Sequence, residues 1–453
     1  MPFELYKTSP KEVLKKTKKI HNPLPPEAIK TKTIPMKKLQ FKAIFVFAIA
    51  IASGMFSGCF KDTGYYHYTM YTPVYKTTAE VRAEIKSDVP APVQEPGKMY
   101  IRGNYIFLAE KLRGIHIIDN TNPASPINKA FIKIPGCEDM AVYGNTLYAD
   151  CYTDLFSIDI TDPMQAIFKK HIVNLFPDRL NVGNFTVDTN RVITDWIAKD
   201  TTIKVAAPQQ NFFSNNKLFS MDSRQSFASI SNAAIATGQG GSMARFAILN
   251  NYLYAVTTTH LKTVNISQPQ QPVLNGTVNL GWGIETIYPF QDKLFIGSTT
   301  GMQIFSAANP SAPVRLGSFG HARRCDPVIT DGIYAYVTLR GGGFCGGPSN
   351  ELNVVNVQNL LSPSLVKMYP LTSPGGLSKD GNWLFICDGK DGLKCFDAAN
   401  VMDIKLKKTI TMAEPYDVIC INGNAIVSAK DGLYQYDYSN INDIKLLSKI
   451  GLQ

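Results

Sequence analysis

Lys98, Asp139, Arg245, Glu285, Asp326, Gly376 and Asp417 each stand five or six residues ahead of a Gly-Asn-like turn. Four of these seven are acids and two are bases. Carboxylates gathered by such a repeat would focus a negative field and suit a cation such as calcium, while the bases offset part of it. Nearby, Glu138, His321, Arg323, Arg324 and Arg340 add a mixture of charges that suits a carboxylated or sugar-like ligand better than DNA. The candidate ligand-binding set is therefore Asp139, Arg245, Glu285, His321, Arg324, Asp326, Arg340 and Asp417. The competing reading is that these groups only solvate a channel. Reaction motifs are missing: the sequence has no HExxH, GxSxG, Walker loop or GxGxxG before a helix. His116 and His260 fall in or beside strands and read as structural. No residue is assigned as catalytic and no cofactor is called for, calcium being the one the acids could take.

Positioning those residues falls to a repeat. Its plainest copy runs Met99 to Glu110, then Gly114 to Asp119, then Asn122-Pro123, then Ala130 to Ile134. Each apolar stretch is short, β-branched or aromatic, and bounded by turn formers, so each reads as a strand and four make one unit. Copies of Asp119 fall at Asp159, Asn265, Ser306, Asn356, Asp397 and Asp437, at spacings of 40, 106, 41, 50, 41 and 40. A period near 40 with four strands per unit is the mark of a β-propeller blade. The fold class is all-β, a seven-bladed propeller over residues 97–453, with an insertion at 178–243. In that insertion Val192–Ala198 and Thr202–Val205 read as an added hairpin, and the Asn-, Gln- and Ser-rich remainder as a disordered loop or a lid. In such a fold the first strands line the axis, and the charged set falls at the mouth.

Gly114-Ile-His-Ile-Ile-Asp119 with its Asn-Pro, and Leu155-Phe-Ser-Ile-Asp-Ile-Thr-Asp-Pro163, resemble the LVIVD repeat family of bacterial and archaeal surface and secreted proteins. The resemblance implies a propeller at the cell surface and carries over no reaction and no catalytic residue. A second resemblance concerns the N-terminus. Ala43 to Phe56 is an uncharged apolar run behind Lys37, Lys38 and Lys42, ending in Phe56-Ser57-Gly58-Cys59, which is similar to the lipobox of bacterial lipoproteins. It implies a signal peptide at 36–58 and acylation of Cys59. Residues 1–35 then read as an upstream over-call or disordered extension, and 59–96 as a lipidated Cys with an extended tether whose Thr78 to Lys86 makes one short helix.

Charge supports an envelope address. Of the formal +10, residues 1–58 hold 11 Lys/Arg against 3 acids, leaving 35 against 33 in the rest, so a nucleic-acid partner loses its footing. In an oxidising compartment Cys137 with Cys151, and Cys325 with Cys345, are disulfide candidates, and Cys387 faces Cys395 across a hairpin. The sequence thus points to an outer-membrane lipoprotein, on the cell surface or the periplasmic face, binding a protein or glycan partner. The alternative is a hydrolase or lyase acting on an extracellular polymer at the axial mouth, and a mouth plugged by residues 206–243 would count against it.

Overall fold

The computed structural model describes residues 63–182, 185–186, 190–206, 239–321, 327–342 and 350–452. Two units are distinguished, Met1–Tyr66 with Ile203–Gln209, and His67–Thr202 with Gln210–Gln453. The second holds a seven-bladed propeller whose blades are antiparallel sheets of four consecutive strands. The first strands are Pro96–Arg102, Met140–Tyr143, Phe246–Leu249, Ile284–Phe290, Val328–Thr330, Leu377–Asp380 and Pro415–Ile421. Each touches the first strand of the next blade, and the last touches the first, so these seven form the inner ring.

Both faces of a blade are buried, which is why its middle strands are nearly continuous apolar runs. Along Tyr105–Glu110, Phe107 and Ala109 join a cluster with Tyr148 of blade 2, while Ile106 and Leu108 join one with Ile426 of blade 7. The residues aligned with Asp119 close the third strand in one common way. In all seven copies the side-chain oxygen accepts the N–H two residues ahead, at 2.9–3.3 Å, an Asx- or ST-type turn. The following turn then docks on the neighbouring blade: Tyr148 donates to the Pro269 carbonyl and Tyr254 to that of Pro310, at 2.7 and 3.0 Å. Every fourth strand carries a register shift against the third, such as that at Ile117/Ile118. These bulges twist the outer edge and discourage edge-to-edge pairing.

The ring closes without exchanging a strand between its ends. Blade 7 meets blade 1 through Ser428 Oγ to the Gly97 carbonyl at 2.7 Å, Ser448 Oγ to the Pro123 carbonyl at 2.6 Å, and paired Asn120 and Gln435 amides. Blade 1 is extended on both sides. Ser87–Asp88 pairs with the outer strand at Phe131 and Ile132, and Gln239–Gly240 pairs with the inner strand at Tyr100 and Ile101.

Of the stretch expected as a tether, Thr63–Thr77 is a strand, followed by the expected helix, Thr78–Glu84, with a capping box between Thr77 and Glu80. The hairpin expected in the insertion is replaced by one strand, Arg191–Ala206, whose partner is Thr63–Thr77. Contacts of Thr78 with Asn190, Val74 with Thr194, Thr69 with Asp200 and His67 with Thr202 run in opposite directions along the two chains, so the ribbon is antiparallel. The reason is local: Lys199-Asp200-Thr201 lacks a Gly, Pro or Asn turn former, and Asp200 accepts the Thr69 hydroxyl at 2.7 Å instead of turning the chain. Cys59, the signal segment and residues 207–238 lie outside the described residues.

Candidate functional site

The inner strands bring together part of the charged set. Asp139, 2 % exposed, begins the approach to the inner strand of blade 2, and Lys98 lies on that of blade 1. Lys98 Nζ donates to Asp139 Oδ2 at 2.8 Å, the backbone N–H of Arg245 donates to the same oxygen at 2.5 Å, and the Met140 N–H donates to Oδ1 at 2.8 Å. Burial raises the Asp139 pKa and lowers that of Lys98, drawing the two together, while their contact opposes that drift. The packing around Glu138 disfavours its charge, yet Arg179, Arg245 and Lys98 outweigh this and hold the carboxyl below its ordinary range.

Arg179 and Asp150 were not singled out in the sequence. Asp150 accepts the N–H groups of Glu138 and Asp139 at 2.7 and 3.0 Å and is ion-paired with Arg179, which also approaches Glu138 at 3.7 Å and lies over the Phe176 ring. Arg179 sits in a short 3₁₀ turn, Pro177–Leu180, at the start of the insertion. No local pattern marks it, because its partners lie about thirty residues earlier.

A strap completes the axial side. After Gln239–Gly240 pairs with blade 1, Gly241 N–H donates to the Met99 carbonyl at 3.0 Å. Ser242 N–H donates to Asp417 Oδ1 on blade 7 at 2.9 Å, and Ser242 Oγ accepts the Leu377 N–H of blade 6 at 2.5 Å. Residues from the blade 2–3 connection therefore tie blades 6, 7 and 1 across the seam where the ring closes. Glycine is required here by space: a Cβ on Gly241 would lie 2.0 Å from Asp417 Oδ2. Asp417 is 1 % exposed, its Oδ2 has no hydrogen-bond partner among the described residues, and burial raises its pKa well above the usual carboxylate range. The run Gly238-Gln-Gly-Gly-Ser-Met243 was the sequence signal for this close approach.

The remaining expected residues are distributed. Glu285 is buried on the inner strand of blade 4. Arg340 follows the second strand of blade 5, Tyr334–Leu339, and His321 follows the outer strand of blade 4, with its N–H on the Thr300 carbonyl and its ring beside Phe319. His321 therefore lies in the connection that leaves the outer strand of blade 4. Arg324, Asp326, Cys325 and Cys345 lie outside the described residues. The expected Cys137–Cys151 bridge is not formed: both are buried free thiols whose pKa burial raises. The register opposes Met140 to Ala149, so Cys151 falls opposite Glu138 and out of step with Cys137. Cys387 and Cys395 are likewise free, opposite Leu393 and Phe385. Among the described residues no His, Cys, Asp and Glu group is arranged to hold a metal.

His116 proves to be the buried partner of Glu110, Nε2 to Oε2 at 3.0 Å. Glu110 also accepts the N–H groups of Gln94 and Glu95 at 3.1 and 2.6 Å. This fixes the segment entering blade 1, as a structural histidine would.

The geometry defines a closed propeller whose blades 6, 7 and 1 are tied by a strap and whose Lys98 and Asp139 are ion-paired across adjacent inner strands. The LVIVD repeat matches at residues 97–131 and 240–280, the first and third blades, so the chain carries LVIVD repeats. A search of curated proteins gives no match. Among solved structures, a protein from Lactobacillus plantarum is similar at 12% identity and TM-score 0.51, over 79% of this chain and 96% of that one. A functionally unknown protein from Desulfotomaculum acetoxidans has 13% identity and TM-score 0.48, over 77% and 95%. BamB from Moraxella catarrhalis has 7% identity and TM-score 0.47, over 81% and 99%. At these identities the likeness concerns the fold alone.

Proposed function

We propose that this propeller is a non-catalytic interaction module of the cell envelope, held to a membrane through acylated Cys59 and binding a protein or glycan partner. The observation that carries this is the commitment of the inner-ring acids. Asp139 is occupied by Lys98, Arg245 and Met140, and Asp417 holds the strap, so neither is poised as a general acid or base over an open pocket. The strap at Gln239–Ser242 also covers Asp417, one of the acids that the hydrolase or lyase reading would use. Binding then falls to the blade surfaces and loops, the usual working parts of a rigid repeat scaffold.

Crosslinking in intact cells, followed by affinity capture of the full chain, tests the reading. A partner recovered with the wild type and lost when the surface loops are replaced supports it. Turnover of an envelope polymer by the purified chain, abolished by Asp139→Asn, would overturn it. Replacing Cys59 by Ala should shift the protein from the membrane to the soluble fraction. Among the described residues no helix is long and apolar enough to cross a membrane.

A further inference from the structure

The antiparallel ribbon, taken over His67–Thr77 and Arg191–Thr202, is seated on the propeller core through buried Val192 and Ile193 and carries a further surface outside that packing. Tyr68, Met70, Tyr71, Tyr75 and Ile197 are each 36–60 % exposed on it. Exposed aromatic and aliphatic groups concentrated on one element mark a contact surface, where scattered ones would not. The outer edge of each blade is blunted by a bulge, and blade 1 has an added strand. The contacts that define the ribbon run from His67 with Thr202 to Thr78 with Asn190.

What covers this surface follows from the chain that precedes it. Residues 43–56 form the apolar run and Cys59 is the acylation candidate, so Tyr68 is only nine residues from the thiol. Nine residues reach at most about 30 Å, which keeps the ribbon's aromatic end beside the bilayer whenever Cys59 is acylated. Tyrosine favours the headgroup zone, where its ring is buried and its hydroxyl stays wet. Thr63–Thr77 contains no acidic residue, so nothing on that strand repels anionic headgroups.

We infer that the tyrosine-rich ribbon is a second membrane contact, laying Tyr71 and Tyr75, which share one face of the strand, into the headgroup interface of the bilayer that holds the lipid anchor. The inference rests on the acylation of Cys59. Tethering turns ribbon binding into an intramolecular event, so weak interfacial contacts suffice. The lipid-bound ribbon then fixes how the propeller is presented.

The test is tyrosine nitration read peptide by peptide by mass spectrometry. The full lipidated chain in vesicles of phosphatidylethanolamine and phosphatidylglycerol is compared with the full Cys59→Ala chain free in solution. Nitration of Tyr71 and Tyr75 should slow about tenfold on vesicles, in keeping with burial in the headgroup layer, while Tyr68 on the opposite face slows less and Tyr105 of blade 1 is unchanged. An acylated chain whose ribbon tyrosines nitrate equally fast in both states overturns the inference and leaves the anchor standing. An intact mass without acyl groups removes the anchor and the inference with it. Protection that appears in solution and grows with protein concentration would assign the ribbon to self-association and also overturn it.

Discussion

The substitution Gly241→Ala tests whether the strap closes the ring. The new methyl would lie 2.0 Å from Asp417 Oδ2 and 2.9 Å from its Cγ, well inside contact distance. Asp417 is buried on an inner strand and cannot swing away cheaply, so the strap must move. That displacement breaks three hydrogen bonds: Gly241 N–H to Met99, Ser242 N–H to Asp417, and Leu377 N–H to Ser242. At about 1 kcal/mol net each, the loss is about 3 kcal/mol, a large part of a typical domain's stability. Urea unfolding gives the energy, and hydrogen exchange at Gly241, Ser242 and Leu377 locates it. A variant within about 0.5 kcal/mol of wild type, with those amides still protected, would refute the reasoning. Asp417→Asn is the companion, since the amide keeps an acceptor for the Ser242 N–H and cannot ionise. Because burial raises the folded-state pKa of Asp417, its protonated form stabilises the wild type at low pH. That stability is lost as pH rises from the unfolded value through the raised one. The wild type should therefore lose stability relative to Asp417→Asn with rising pH, and parallel pH profiles would reject the assignment.

Glu110→Gln should cost about 1–3 kcal/mol at pH 7, because it weakens the acceptor for His116, Gln94 and Glu95. Burial alone would raise Glu110, but those donors outweigh it and its pKa lies below the ordinary value, so this contribution is present above the unfolded pKa and fades as pH falls. Urea midpoints at pH 7 and pH 4 should show the difference between wild type and variant shrinking in acid. Calcium should leave the melting temperature unchanged, because the oxygens of Asp139 and Oδ1 of Asp417 already accept protein donors; a calcium-dependent rise lost in Asp139→Asn would contradict this. The Cys137, Cys151, Cys387, Cys395 and Cys420 thiols are buried and free, so a thiol reagent should modify them only after unfolding. Rapid reaction of any of the five in the native protein, or failure to react once unfolded without reductant, counts against it.

The blades were legible because their information is local. An Asx or Ser residue at the end of each third strand, repeated at one spacing, makes the same turn whatever surrounds it, and all seven do so. The inner-ring position was legible for the same reason, which is how Lys98, Asp139, Arg245 and Asp417 were found. What they bond to was not legible. Lys98 and Asp139 neutralise each other across adjacent blades, and the strap that holds Asp417 arrives from 175 residues earlier. The ribbon was missed because its strands are separated by more than a hundred residues, and the proline run at 89–96 lent the whole segment the look of a tether. Its β-branched and aromatic content was a signal that composition alone undervalued.

A ring of independent blades has one weak joint, where the last sheet meets the first without a shared strand. Here that joint is reinforced from two other parts of the chain, both acting on blade 1. The segment before the propeller adds Ser87–Asp88 to its outer edge and sets the Gln94 and Glu95 amides on buried Glu110. The strap adds Gln239–Gly240 to its inner edge and continues to blades 7 and 6. If Cys59 is the anchor, a pull between membrane and partner reaches first the ribbon and the helix, through Val81, Ile85, Val192 and Ile193 in the core, and then blade 1 through residues 87–96. A blade loaded at its edge resists best when hydrogen bonds along both edges share the load, and among the described residues blade 1 has an added strand on each side where the other blades have four strands. The buried Glu110–His116 pair adds a charge-assisted contact at the point of entry, where a purely apolar contact would slide. Reinforcement at the one blade that both joins the tether and closes the ring is what an anchored binding scaffold requires, and an enzyme dependent on an open axial mouth would be hindered by the same strap.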